Sequence, residues 1–201
     1  MRAVKFLLMA GSLAVSAVCA GGASATIITF GGLNGLNGAP FTTDTESGFT
    51  VNPTLGTWFQ GQLFGNPAPS IFSGPQFGSP ATDAITVTEG GGLFTFSALD
   101  LAANNGNVSF TFTGLRSAAT VFSVAGIEPG LSGPFAFVTV SSGVSADLID
   151  TLVVTTNILG TSANIDNIVV AAAVAEPTSV GLLAAGLALL GFFRRRPRNR
   201  I

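Results

Sequence analysis

The chain has 201 residues, of which 9% are charged and 47% hydrophobic, with one Cys, no His and no Tyr. Its charges are segregated: residues 1–25 hold Arg2 and Lys5 and no acid, residues 26–175 hold nine acids against Arg116 alone, and residues 176–201 hold Glu176 and five Arg. A middle segment without His or Cys excludes imidazole-based catalysis, thiol chemistry and Cys/His zinc sites, and its single cation excludes nucleic-acid binding.

The first element is an export signal. Arg2 and Lys5 are followed by an apolar run from Phe6 to Ala20 and then by small residues, with Ala23 and Ala25 in the positions that a signal peptidase reads. Cleavage after Ala25 leaves Thr26 as the mature N-terminus. Residues 1–25 are therefore read as a signal peptide, and the only Cys, Cys19, lies inside it.

Residues 26–173 read as an all-β domain, an antiparallel β-sandwich or jelly roll. Leu33 to Pro80 is rich in Asn-Gly and Pro, and reads as long loops with short strands near Gly48–Val51 and Thr57–Phe59. Beyond it, alternation with a period of two marks strands. Phe94 and Phe96 alternate with Thr95 and Ser97, and Val108, Phe110 and Phe112 with Ser109, Thr111 and Thr113. Val138–Val140, Leu152–Val154 and Ile165–Val170 read as further strands. Turn signals separate them at Gly90–Gly92, Asn104–Asn107, Pro129-Gly130, Ser132–Pro134 and Ser141–Gly143. Phe94–Leu101, the strand end Phe112-Thr113-Gly114 and the closing Ile165-Asp166-Asn167-Ile168 resemble galactose-binding-like jelly-roll domains, which implies a carbohydrate-module fold.

The middle segment offers few chemical groups. Asp83, Glu89, Asp100, Asp147, Asp150 and Asp166 could in principle supply a pair of glycosidase carboxylates, but no base tunes them and no catalytic motif accompanies them. The plain alternative is that they solvate a surface poor in polar groups. No cofactor is called for. Calcium is the ion that the acids suit, with Asp44, Glu46 and Asp166 as candidates, although Asp166 could equally hydrogen-bond a turn. Trp58 with Phe59 is a candidate platform for a sugar ring, with Gln60, Gln62 and Asn66 as neighbours; the other reading places Trp58 in the core. Arg116 reads as a structural ion pair.

The last element is a second address. Val180 to Phe193 is fourteen residues without a polar side chain, followed by Arg194, Arg195, Arg196, Arg198 and Arg200. As a helix the run rises roughly 21 Å, short of the roughly 30 Å hydrocarbon core, so flanking residues must extend it to about residues 179–193. The Arg cluster would hold it with the body outside. Val174-Ala175-Glu176-Pro177, the apolar run and the basic tail together resemble the PEP-CTERM sorting signal, with Ala175 where the family usually has Pro. The resemblance covers residues 174–201. It implies recognition by an exosortase, cleavage near Glu176-Pro177 and release or transfer to the envelope; a permanent membrane anchor is the alternative.

The expected protein is thus exported and non-catalytic, held transiently in the inner membrane by its C-terminal helix and then placed at the cell surface or in the extracellular matrix. Its partners would be signal peptidase, exosortase and a polysaccharide, with no nucleic acid. An adhesive or structural protein without a small-molecule site is the second reading, and a secreted glycoside hydrolase the third.

Overall fold

The computed structural model describes residues 24–74, 80–104, 106–128, 136–159 and 162–173. Outside these lie most of the expected signal peptide, including Ala23. The Pro129-Gly130 and Ser132–Pro134 turns, the motif Val174–Pro177, the apolar run and the Arg cluster lie outside them as well. Ala23–Ala173 forms one compact unit.

That unit is built of twelve strands: β1 (Thr26–Ile28), β2 (Asp44–Glu46), β3 (Phe49–Leu55), β4 (Trp58–Gly61), β5 (Ser70–Ser73), β6 (Pro80–Thr88), β7 (Phe94–Ala103), β8 (Val108–Arg116), β9 (Ala119–Glu128), β10 (Val138–Ser141), β11 (Thr151–Leu159) and β12 (Ala163–Ala172). They form two antiparallel sheets. Sheet A runs β10-β7-β12-β5-β4, with β1 also on β12, and sheet B runs β2-β3-β6-β11-β8-β9. The all-β sandwich expected from the sequence is present.

The alternation read along β8 is the physical basis of the layers. Val108, Phe110 and Phe112 are buried, while the residues between them are more open. Opposite them, Phe94, Phe96, Leu99 and Leu101 of β7 are wholly buried. The sheets interlock through edge-to-face rings: Phe96 meets Phe112 at 5.2 Å and Phe49 meets Phe94 at 5.4 Å.

Leu33–Pro80 is more ordered than its composition suggests. It carries β2, β3, β4 and β5 and reaches the first residue of β6. Asn-Gly and Pro do end strands there, but two of the strands lean on long neighbours. β3 lies along β6, and β5 along β12.

Candidate functional site

The polar groups of sheet A gather where β12 changes neighbours. β7 flanks β12 along one side, but the other side is taken first by β5, at Asn164 and Ile165, and then by β1, at Ile168 to Val170. Between the two lie Asp166 and Asn167. The ladder to β7 shifts register there, and Asn167 has φ 46°, in the left-handed region that Asn tolerates better than most residues. The bend leaves backbone and side chains free for partners outside the ladder.

Register fixes which side chains meet. Thr139 of β10 lies opposite Asp100 of β7, and Asp100 opposite Asp166 of β12. Flanking Asp100, Leu99 and Leu101 are buried in the core, so this polar row lies on the outer face. The loop between β4 and β5 folds over it. Asp166 Oδ2 accepts from Asn66 N at 2.6 Å and its Oδ1 from Asn167 N at 2.8 Å. Asp100 Oδ2 accepts from the side-chain amides of Asn66 at 3.1 Å and Asn167 at 2.9 Å, and its Oδ1 from the Thr139 hydroxyl at 2.6 Å. Asn167 Nδ2 also donates to Asn66 O at 2.5 Å. Asp166 is 0% exposed. Burial pushes its carboxyl up to about 6; the N–H groups of Asn66 and Asn167 oppose that shift, and the charges of Asp100 and Glu46 add to it.

Every carboxylate oxygen in this row already has a donor, so the pair clamps the loop onto the sheet. A glycosidase needs one carboxyl to meet the leaving group and the other to meet water or the sugar. These two are turned to the protein itself.

Beside the clamp the same face carries aromatic rings. On β4, Trp58 points into the core and Phe59 out. On β5, Ile71 and Ser73 point in and Phe72 out. Phe59 and Phe72 are opposite one another and stacked, with centroids 5.4 Å apart, and Phe64 of the loop meets Phe72 edge-on at 6.3 Å. All three rings are half-buried. Asn164 is the cross-strand partner of Phe72. Among the described residues, the buried oxygens Asn164 Oδ1 and Ser70 Oγ, both on this side of the sheet, have no hydrogen-bond partner.

The structure separates the residues that the sequence grouped. Trp58 is 2% exposed and its indole donates to Leu55 O at 3.1 Å, so it is a core residue and not a sugar platform. Phe59 remains on the outer face. Phe72, stacked on it, and Phe64, edge-on to Phe72, fall within the stretch read as loops, and no periodicity in the sequence marks them. The amide of Gln60 is engaged by Gly35 N and Pro40 O, and Gln62 donates to Leu33 O; Asn66 serves the clamp.

The calcium candidates do not assemble. Glu46 accepts from Thr29 N at 2.8 Å, Phe30 N at 3.0 Å and the Thr29 hydroxyl at 3.0 Å, tying β2 of sheet B to the chain just after β1 of sheet A. Asp44 keeps a buried Oδ2 without a partner among the described residues, and its carboxyl is raised by burial and by Glu46. Asp166 is saturated by backbone donors. Among the described residues no group of three or more His, Cys, Asp or Glu is placed to hold a metal ion.

The other acids are dispersed. Asp83 of β6 points between the sheets at 1% exposure, raised by burial and opposed by hydrogen bonds from the Ser73 side chain and the Thr57 backbone. Its Oδ1 lies 1.6 Å from where a side chain on Gly56 would begin, and Gly56 has φ 77°, so only glycine fits this turn. Asp150 accepts from Ser117 N at 2.5 Å and from the Thr151 hydroxyl at 3.0 Å, next to exposed Arg116. Glu89 lies in the β6–β7 turn and Asp147 in the segment between β10 and β11.

No protein-family model matches the chain, and no curated protein does. Several solved structures are similar to it at low identity. A DUF4465 family protein from Bacteroides caccae is 8% identical with a TM-score of 0.52, over 77% of this chain and 100% of that one. A family 29 carbohydrate-binding module is 15% identical with a TM-score of 0.44, over 78% and 97%. The enzymatically active domain of tailspike protein 4 from bacteriophage CBA120 is 20% identical with a TM-score of 0.40; 63% of this chain spans only 20% of it. The first of these likenesses establishes a shared fold and nothing about activity.

Proposed function

We propose that this chain is an exported, non-catalytic cell-surface or matrix protein whose β-sandwich binds polysaccharide on the outer face of sheet A. The observation that carries the reading is the group of half-buried rings Phe59, Phe72 and Phe64 on one face. Sugar rings present C–H faces that pack on aromatic carbon and hydroxyls that seek polar partners. The saturated Asp100–Asp166 pair supports a binding role over hydrolysis.

Sorting by an exosortase belongs to the same proposal. It rests on Val174-Ala175-Glu176-Pro177, the apolar run and the Arg cluster. The compact unit ends at Ala173, just before this segment, so cleavage near Glu176-Pro177 would spare the sandwich.

Affinity electrophoresis of the mature protein through gels containing individual polysaccharides tests the binding reading. At least one glycan should retard the wild type, and Phe72→Ala should lose most of that retardation with its unfolding transition still cooperative. Retardation unchanged in Phe72→Ala and Phe64→Ala would move binding elsewhere. Absence of retardation in every glycan would leave the adhesive, ligand-free reading.

A further inference from the structure

The outer face of sheet A carries charge of one sign only. Residues 26–175 hold nine acids and a single base, Arg116, and Arg116 ends β8 in sheet B, so no base stands on any strand of sheet A. Asp100 and Asp166 do stand there, beside the rings. Asn164, the cross-strand partner of Phe72, precedes Asp166 by two residues on the same face of β12, roughly 7 Å along the strand. The donors that hold the two carboxylates are all neutral: backbone N–H groups, the side-chain amides of Asn66 and Asn167, and the Thr139 hydroxyl. Their oxygens are satisfied, but their charge is not cancelled. The protein feels this field itself, since the charges of Asp100 and Glu46 both push the Asp166 carboxyl up.

The rings beside these acids are closely seated. A side chain on Gly74 would begin 2.5 Å from Phe59 Cε2, and one on Gly61 3.5 Å from Phe64 Cδ2. Leu63, next to Phe64 in the loop, is 75% exposed; Leu36, whose neighbour Asn37 accepts from Leu63 N, is 84% exposed. The surroundings of the rings are thus apolar or acidic.

Resting on the binding reading above, we infer that this face takes uncharged glycans and turns away anionic ones, whether their charge comes from uronic acid, sulfate or phosphate. An uncharged chain can lay its C–H faces on the rings without an electrostatic cost. An anionic chain on the same rings brings its charge beside Asp100 and Asp166, with no Lys or Arg on the sheet to pair with it. A cationic chain gains little over an uncharged one, because every oxygen of the two carboxylates already accepts from the protein.

Affinity electrophoresis of the mature protein at pH 7.5 tests the selection. The panel is galactomannan, pullulan and a mixed-linkage β-glucan, each beside the same polymer with its primary hydroxyls oxidised to carboxylates, together with alginate and dextran sulfate. Only retardation that Phe72→Ala abolishes is counted, which leaves out contacts made by the Arg cluster. At low salt an oxidised polymer should be held roughly tenfold more weakly than its parent. Sodium chloride at 1 M, where the Debye length is roughly 3 Å, should close most of that gap, which a mere loss of hydroxyls would not allow. Leu63→Lys, which sets a cation next to Phe64, should raise binding of the oxidised polymer relative to its parent. An oxidised polymer held as tightly as its parent, a gap that salt leaves unchanged, or retardation by alginate and dextran sulfate alone overturns the selection and leaves the binding reading standing. No retardation by any member of the panel overturns both.

Discussion

Asp166 shows how one side chain sets a condition on the whole fold. In the folded chain its carboxyl titrates at about 6, against 3.8 for the free group. Between those values the folded form holds a proton that the unfolded form has lost, so unfolding releases it. The contribution of Asp166 to stability is therefore full below about pH 4, falls as pH rises through the window, and is flat above about pH 6; its span is roughly 3 kcal/mol. Asp44, Asp83 and Glu128 are raised as well and slope the same way. Asp166→Asn removes the largest part of this slope. It also weakens the clamp at every pH, because an amide has one acceptor oxygen for the two N–H groups of Asn66 and Asn167. Urea unfolding at pH 4.5 and pH 7 should show a smaller difference in the variant than in the wild type; an equal difference would clear Asp166 of the role. The sequence left Asp166 between a calcium ligand and a turn bond; the structure puts it inside β12, at the register shift, hydrogen-bonded to the backbone of Asn167. Its second partner was not legible, because Asn66 lies 100 residues away in the sequence and reaches it only through the folded loop.

At the scale of elements, legibility followed the contrast between the two faces of a strand. β8 alternates cleanly because its outer face is Ser and Thr. β6 hides its pattern because the inward row begins with Asp83 before Ile85 and Val87. β9 hides its pattern because both faces are apolar, with Val121 and Ile127 outside and Phe122 and Val124 on the other face. The β8–β9 turn conceals itself too. Ser117 and Ala118 take φ of 50° and 64°, values usually supplied by Asn and Gly in a two-residue hairpin. The inner face of this hairpin depends on glycines beneath rings: a side chain on Gly126 would begin 2.4 Å from Phe110 Cζ, and Phe110 is itself stacked on Phe112 at 4.8 Å. Gly126→Ala should cost about 1–3 kcal/mol by displacing that ring. In a Phe110→Leu background the same change should cost measurably less, since the smaller side chain vacates the space. Equal costs in both backgrounds, read by urea titration, would place the strain elsewhere.

At the scale of the whole molecule, the chain divides into parts that serve different masters. The sandwich is closed and acidic, with its ionisable groups turned largely to its own hydrogen bonds. The segment after Ala173 has no such internal economy: its single acid, Glu176, precedes Pro177, then fourteen apolar residues, then five Arg. As a helix those fourteen residues hold the chain only marginally in a bilayer, while the Arg cluster fixes its orientation. Glu176-Pro177 would then stand just outside the membrane. Pro177 lacks the N–H that a continuing helix needs and disfavours helical geometry at Glu176, so in the proposed sorting the site would be offered to a protease as extended chain. Glu176→Ala or Pro177→Ala should accordingly leave uncut protein in the membrane fraction. Deleting Arg194–Ile201 should let the chain pass through to the periplasm, and Ala175→Pro, which restores the usual sorting motif, should be processed at least as well as the wild type. Mass spectrometry of the mature protein from a host that has the sorting enzyme distinguishes the outcomes. A mature protein that still carries Arg194–Ile201 in most molecules is permanently anchored, and the transient-anchor reading then fails even if the sandwich binds glycan as proposed.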